Sequence, residues 1–254
     1  MQSNGQESDG LGCCVKVLDL FSGIGGFSLG LERAGMETIA FCEFDEHAQK
    51  VLRKHWPDVP IHSDIRELDA KQFRGTVDVV CGGFPCQDLS NAGAQAGFSG
   101  DRSSLYTEML RVISECMPRY AIFENVSGLL TGDSGRWFGQ FLYDLDKIGF
   151  DAEWHCIEAA YVGAPHRRDR VWIIAYPNCQ RQSGQGGLFK PVNTKKSAYR
   201  EASGFVDAFQ GKALPYVCRG HDGISKGMDR LTRLGNAVVP QIPEAIGRAI
   251  MGAA

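Results

Sequence analysis

The chain has 254 residues, 43% hydrophobic and 22% charged, with a formal net charge of −3, which fits an ordinary globular protein of one large domain, or one plus a small one. No run reaches the roughly 18 apolar residues of a membrane span, and the polar opening MQSNGQESDGLG lacks the charged-then-apolar order of a secretion signal, so residues 1–14 read as a disordered leader. The 9 cysteines, an odd number without any C-x-x-C spacing, give no support to a disulfide framework or a zinc site and suit reduced thiols in the cytoplasm.

From residue 15 to 175, strand-like and helix-like patterns alternate. VKVLDL (15–20), ETIAFC (37–42), TVDVVC (76–81), YAIFE (120–124) and VWIIA (171–175) are short β-rich runs. Between them, helical patterns are expected over 26–35, 45–56, 103–117 and 137–150. In the third, Leu105, Met109, Leu110, Ile113 and Met117 recur at helical spacing and mark one buried face. Strands alternating with helices imply βαβ units, hence a doubly wound, mostly parallel sheet covered on both faces. After Tyr176 the pattern stops, and PNCQRQSGQGGLFKPVNTKKSAYREASG reads as loops or a small subdomain. It resumes in a closing helix over 240–250, with Ile242, Ala245, Ile246, Ala249 and Ile250 on one face. The expected organisation is therefore one α/β domain over 15–175 plus 234–254, interrupted by a loop-rich segment over 176–233. That segment holds ten Lys/Arg, Lys195 and Lys196 among them, against four acids, so it carries +6 and the rest −9. Such asymmetry suits a part that faces a polyanion.

VLDLFSGIGGFSLGLERAG (17–35) is a strand, a glycine turn and a helix. Glycine there permits positive φ and close approach of a ligand. The dinucleotide fingerprint fails, because its third glycine falls on Ser28. Glu43 ends the next strand, where an acid can accept from both ribose hydroxyls, and Asp64 falls where a third strand would end and could accept from an adenine amine. Further on, CGGFPCQDLSNAG (81–93) poses a question about reactivity. Cys81 belongs to a strand end and is expected to be buried and inert, Gly82 and Gly83 to let the chain turn, and Pro85 to stiffen the approach to Cys86.

At these residues the sequence resembles the cytosine-C5 DNA methyltransferases. DLFSGIGGFSLGLERAG, GGFPCQDLSNAG, FENV (123–126), APHRRDRVWIIA (164–175) and LGNAVVPQ (234–241) resemble that family's blocks and occur in its order. The resemblance implies a Rossmann-like fold that depends on S-adenosylmethionine, without a metal. It implies Cys86 as nucleophile, Glu124 as the acid that meets N3 of the flipped cytosine, and Arg168 and Arg170 as the paired arginines. It also implies that Phe21, Ser22, Gly23, Ile24, Gly25, Gly26, Glu43, Phe44, Asp64, Ile65, Leu105, Asn236 and Val238 hold the cofactor. The stretch between the arginine and Gly-Asn blocks would recognise the target in double-stranded DNA. A cognate restriction endonuclease is left open as a partner, in a bacterial or phage setting.

The chemistry gives these residue types a reason. C5 of cytosine is a poor nucleophile, and a thiolate added at C6 turns it into an enamine carbon. Cations such as Arg168 and Arg170 would favour the thiolate, and a protonated Glu124, its pKa raised by burial, would neutralise charge at N3. The base must leave the duplex, and the Gly/Ala/Ser-rich stretch after Cys86 suits a lid that closes over it. Gln87, Ser90 and Arg102 are its candidate DNA contacts. The chain departs from the family at His166, where glutamine is usual, and in a short recognition segment, which implies a short target or help from a second copy or partner. The alternatives are the same reaction on a tRNA and a non-catalytic cofactor-binding DNA-binding module.

Overall fold

A computed structural model describes residues 14–85, 105–164, 168–178 and 237–253. The expectations for the leader up to residue 13, for Cys86, Gln87, Ser90 and Arg102, for His166, for Lys195, Lys196 and nearly all of the basic segment, and for Asn236 lie outside the described residues.

Seven strands form one sheet: β1 (Lys16–Leu20), β2 (Glu37–Cys42), β3 (Ile61–His62), β4 (Val79–Gly82), β5 (Tyr120–Val126), β6 (Phe150–Glu158) and β7 (Asp169–Pro177), in the order β3-β2-β1-β4-β5-β7-β6. The first five are joined in parallel, and β7 runs antiparallel to both β5 and β6. The order reverses at β1, and in open α/β sheets the carboxyl edge beside such a switch point is where ligands bind.

Helices α1 (Gly26–Arg33), α2 (Glu46–His55), α3 (Leu105–Cys116), α4 (Gly128–Thr131), α5 (Arg136–Lys147) and α6 (Gln241–Ala253) complete the fold. Two apolar clusters lie on opposite faces. Leu18, Leu20, Val80, Phe123 and Ile173 pack against Met109 and Ile113 of α3 and Phe141 of α5. Val17, Val79, Ile122, Trp172 and Ile174 pack against Phe27 and Leu31 of α1 and Ile242, Ile246 and Ile250 of α6. The alternation along each strand is the period-2 rule applied to a sheet buried on both sides.

Three details differ from the sequence reading. The helix expected to run to residue 150 stops at Lys147, because Gly149 takes φ +84° and turns the chain. Phe150 instead opens β6, an edge strand. Met117 lies past the end of α3 with φ +50° and is exposed rather than on the buried face. β7 extends to Pro177, two residues past the expected boundary of the α/β domain.

Candidate active site

β1 delivers the chain to the carboxyl edge, and the glycine turn begins at once. Phe21, Gly23 and Gly25 have φ of +51°, +54° and +84°, a region that glycine enters without the Cβ penalty. Gly25 is the N-cap of α1 and has no side chain to cap it. The cap comes from the strand. Oδ2 of Asp19 accepts from the N–H of Ser28, the third residue of α1, at 3.3 Å, and from its hydroxyl at 2.7 Å. Asp19 is fully buried beside its register neighbour Cys81. Burial pushes its carboxyl up to about 7, against the pull of the two Ser28 bonds. Its Oδ1 has no conventional hydrogen-bond partner. The sequence reading passed over Asp19, although an acid inside the apolar run VKVLDL was the available signal.

The turn is stitched to β2. The Ser22 hydroxyl donates to the Asp19 carbonyl at 2.7 Å, and the Ser22 N–H donates to the Cys42 carbonyl at 3.3 Å. Glu43 uses both oxygens on backbone: Oε2 accepts from Gly23 N–H at 2.6 Å and Oε1 from Asp45 N–H at 2.7 Å. The carboxylate is thus held at the mouth of the turn with lone pairs to spare. Ile24 is half-buried in that turn. Phe44, directly after Glu43, is 75% exposed among the described residues. Val238 lies over the start of α1, where its carbonyl would sit 2.7 Å from a Cβ on Gly26.

Asp64 stands just past β3, as expected. Its Oδ1 accepts from Arg66 N–H at 2.9 Å, and its Oδ2 meets the Arg66 guanidinium at 2.5 Å. These bonds hold the carboxyl below its usual range. Ile65 is buried and Leu105 is half-buried against the same core cluster. Arg111 of α3 ties this region down, donating to the Ile65 and Leu68 carbonyls at 2.7 and 3.1 Å. Together, an exposed aromatic face, an oriented carboxylate at the glycine turn and an acid past β3 suit a ligand with a flat base and a polar sugar edge.

The second half of the site lies at the ends of β4, β5 and β7. Gly82 and Gly83 do not serve as a positive-φ turn. A Cβ on Gly82 would come within 2.4 Å of the Leu20 carbonyl oxygen, and one on Gly83 within 3.1 Å of Glu124 Oε2. Both are glycine because other atoms need the space. Cys81 is fully buried, and burial and Asp19 push its thiol well above the ordinary range, as its expected inertness requires.

Glu124 is met by both arginines. Arg170 Nε lies 3.0 Å from Glu124 Oε1 and Arg168 an amino nitrogen 3.7 Å from it, with the three side chains 12–22% exposed. The spacing has a structural cause. β7 pairs antiparallel with β5, with Val126 opposite Arg170 and Glu124 opposite Trp172. Arg170 shares a face of β7 with Trp172 and so reaches Glu124, whereas Arg168 precedes the strand with φ +22° and meets the same oxygen from outside it. The Arg170 contact is ionic rather than an aligned hydrogen bond, since Oε1 has no partner in good geometry. Burial raises the Glu124 pKa, and the pull of Arg170 and Arg168 does not cancel it. Burial, and the neighbouring Arg170, lower that of Arg168. The result is a sheltered carboxyl disposed to keep a proton, flanked by two cations.

Among the described residues, no helix is long and apolar enough to cross a membrane. None of their His, Cys, Asp and Glu side chains form a group of three or more that could hold a metal. The described cysteines Cys14, Cys42, Cys81, Cys116 and Cys156 are free thiols.

Residues 15–214 match the model of the C-5 cytosine-specific DNA methylases. A type II methyltransferase from Escherichia coli, M.Eco47II, is 39% identical over 164 residues, which are 64% of this chain and 39% of that protein. The chain spans half or less of the length of the curated relatives it matches. A solved E. coli structure, described as a DNA modification methyltransferase encoded within a prophage, superposes with a TM-score of 0.54 at 30% identity, covering 66% of this chain and 48% of that one. A methyltransferase of Entamoeba histolytica superposes with a TM-score of 0.56, covering 94% of this chain and 98% of that one; at 14% identity this likeness concerns the fold alone.

Proposed function

The chain belongs to the C-5 cytosine-specific DNA methylase family, and on that premise we propose that it methylates C5 of a cytosine in double-stranded DNA, with S-adenosylmethionine as donor. The observation that carries the reading is the Glu124–Arg168–Arg170 cluster, set against the glycine pair that leads to Pro85 and Cys86.

Cys86 is the nucleophile of this reading. Its thiolate adds to C6 of a cytosine turned out of the duplex, the C5–C6 π pair moves onto C5, and N3 takes a proton from Glu124. A carboxyl whose pKa burial raises suits that task, and Glu124 is displaced in that direction. Arg170 and Arg168 are donors for the O2 edge of the ring and balance the carboxylate that Glu124 becomes. C5, made nucleophilic, would then take the methyl group; loss of the C5 proton to a base leaves its bonding pair to re-form C5=C6 as the Cys86 sulfur departs with its own pair, and N3 returns its proton to Glu124.

The glycine-turn residues fit the cofactor. Phe44 offers an exposed face for an adenine ring, Glu43 a fixed carboxylate for ribose hydroxyls, and space is open at Gly23, where no atom lies within 4 Å of an added Cβ. When bound, the cofactor supplies an electrophilic methyl on a sulfonium. Asn236 and Val238 complete the proposed cofactor set from the Gly-Asn block, and Val238 packs against the start of α1. Gln87, Ser90 and Arg102 are proposed to close on DNA, and Lys195 and Lys196 to neutralise phosphates. The segment over 176–233 acts in this reading as the recognition part, in a cytoplasmic enzyme that works beside a cognate restriction endonuclease.

The test is covalent trapping. Duplex DNA with 5-fluorocytosine at the target cannot lose its C5 substituent as a proton, so wild-type protein should form a stable adduct and Cys86→Ala none. Methyl transfer retained by Cys86→Ala overturns the assignment of the nucleophile.

A further inference from the structure

The FENV block carries a residue that the chemistry above does not use. Asn125 follows Glu124 on β5 and is 4% exposed. Period-2 alternation turns it to the face opposite Glu124. There its Nδ2 donates to the Phe84 carbonyl at 3.0 Å, and its Oδ1 accepts from Val126 N–H at 2.9 Å. Both ends of the amide are thus used: one on its own strand, the other on a segment 41 residues away in sequence.

Phe84 is the residue before Pro85, two before Cys86. Its ring is buried among Tyr106, Phe123 and Phe141, with centroids 5.4, 6.3 and 5.6 Å away. On the other face, the missing side chain of Gly83 leaves room for Glu124 Oε2, which a Cβ would approach to 3.1 Å. The segment 83–85 is therefore gripped from both faces by adjacent residues of one strand end. Pro85 has no N–H, so the Phe84 carbonyl is a natural handle for this peptide unit. An amide that donates to one segment while accepting from its own strand sets a register, beyond filling space.

We propose that Asn125 is a positioning residue. It locks the 83–85 approach to Cys86 in register with Glu124, so that one strand end sets nucleophile and acid together. The proposal rests on the roles given above to Cys86 and Glu124. Asn125→Asp keeps shape and volume but replaces the donor with an oxygen that repels the Phe84 carbonyl. Gly83→Ala perturbs the same register from the other face and leaves the amide bond intact.

The experiment has two arms on the full chain, with melting temperature recorded for each variant. In the first, amide hydrogen exchange is followed in peptides covering residues 82–90 and 18–28. Asn125→Asp should speed exchange in the first peptide by tenfold or more and leave the second unchanged. In the second, kcat, the KM for S-adenosylmethionine and the rate of adduct formation on 5-fluorocytosine DNA are measured. Both variants should lower kcat and the adduct rate in parallel, by ten- to a hundredfold, with KM unchanged within twofold. Unchanged exchange over 82–90 in Asn125→Asp overturns the tether. Faster exchange with undiminished kcat overturns the positioning role, as does a loss spread equally over kcat, KM and melting temperature. A wild-type protein that forms no adduct refutes instead the reading of Cys86, and the exchange arm then decides the tether alone.

Discussion

Replacing Asp19 with asparagine should remove a pH-dependent penalty built into the cofactor turn. Asp19 is fully buried, caps α1 through Ser28, and has its carboxyl pushed up to about 7 from an ordinary 3.8. The folded state thus favours the protonated acid, and the unfolded chain releases the proton near 3.8. The cost of burying Asp19 is absent below that value, grows as pH rises, and levels off above about 7. Each pH unit well inside the window is worth about 1.4 kcal/mol, and the slope halves at the folded value, so wild type should lose roughly 2 kcal/mol between pH 5 and 7 from this residue. Asparagine keeps an oxygen for Ser28 and cannot ionise. Urea denaturation of both proteins at pH 5, 6, 7 and 8 gives the difference in unfolding free energy, in which other titrating groups cancel. That difference should move in favour of Asp19→Asn by roughly 2 kcal/mol from pH 5 to 7 and then flatten. A difference constant within about 0.5 kcal/mol over the whole range would refute the reasoning, since it is the size of an ordinary uncoupled surface change.

Phe44→Ala should leave stability within about 0.5 kcal/mol, because the ring is exposed. It should weaken S-adenosylmethionine binding about tenfold in calorimetry, the equivalent of a lost stacking contact of about 1.4 kcal/mol; equal affinity would remove Phe44 from the cofactor set. Gly82→Ala should destabilise the fold by about 1–3 kcal/mol in denaturant titration, because its Cβ meets the Leu20 carbonyl at 2.4 Å. Glu124→Gln should reduce kcat by about 10²–10⁴ with cofactor affinity unchanged. In wild type, whose Glu124 pKa is raised, the rate should fall as pH rises through the pKa of that group. A rate still level after Glu124 has ionised would deny it the role of acid.

The central strands were legible because they are buried on both faces: VKVLDL, TVDVVC and YAIFE show as unbroken β-rich runs. β6 was not. FDAEWHCIE carries three acids and a histidine and, among the described strands, pairs only with β7, so no apolar run appears. Phe150 then reads as the last apolar position of the preceding helix, and only the left-handed Gly149 shows otherwise. The spacing of Arg168 and Arg170 was visible, but the antiparallel strand that brings Arg170 to Glu124 was not. Gly82 and Gly83 were expected to let the chain turn, and the fold adds a second reason for glycine there, since they yield space to Leu20 and Glu124. Asp19 and Asn125 are polar residues inside strand runs, a signal the sequence reading did not use. Their partners Ser28 and Phe84 are fixed by the fold, and no local pattern encodes a contact between residues 41 apart.

Base-resolution methylation mapping of duplex DNA incubated with the protein and S-adenosylmethionine tests the central claim most directly. The account predicts methyl groups at C5 of cytosines within one short sequence, and none with Cys86→Ala. Methylation on another atom or base, or an unaltered pattern from Cys86→Ala, would contradict it.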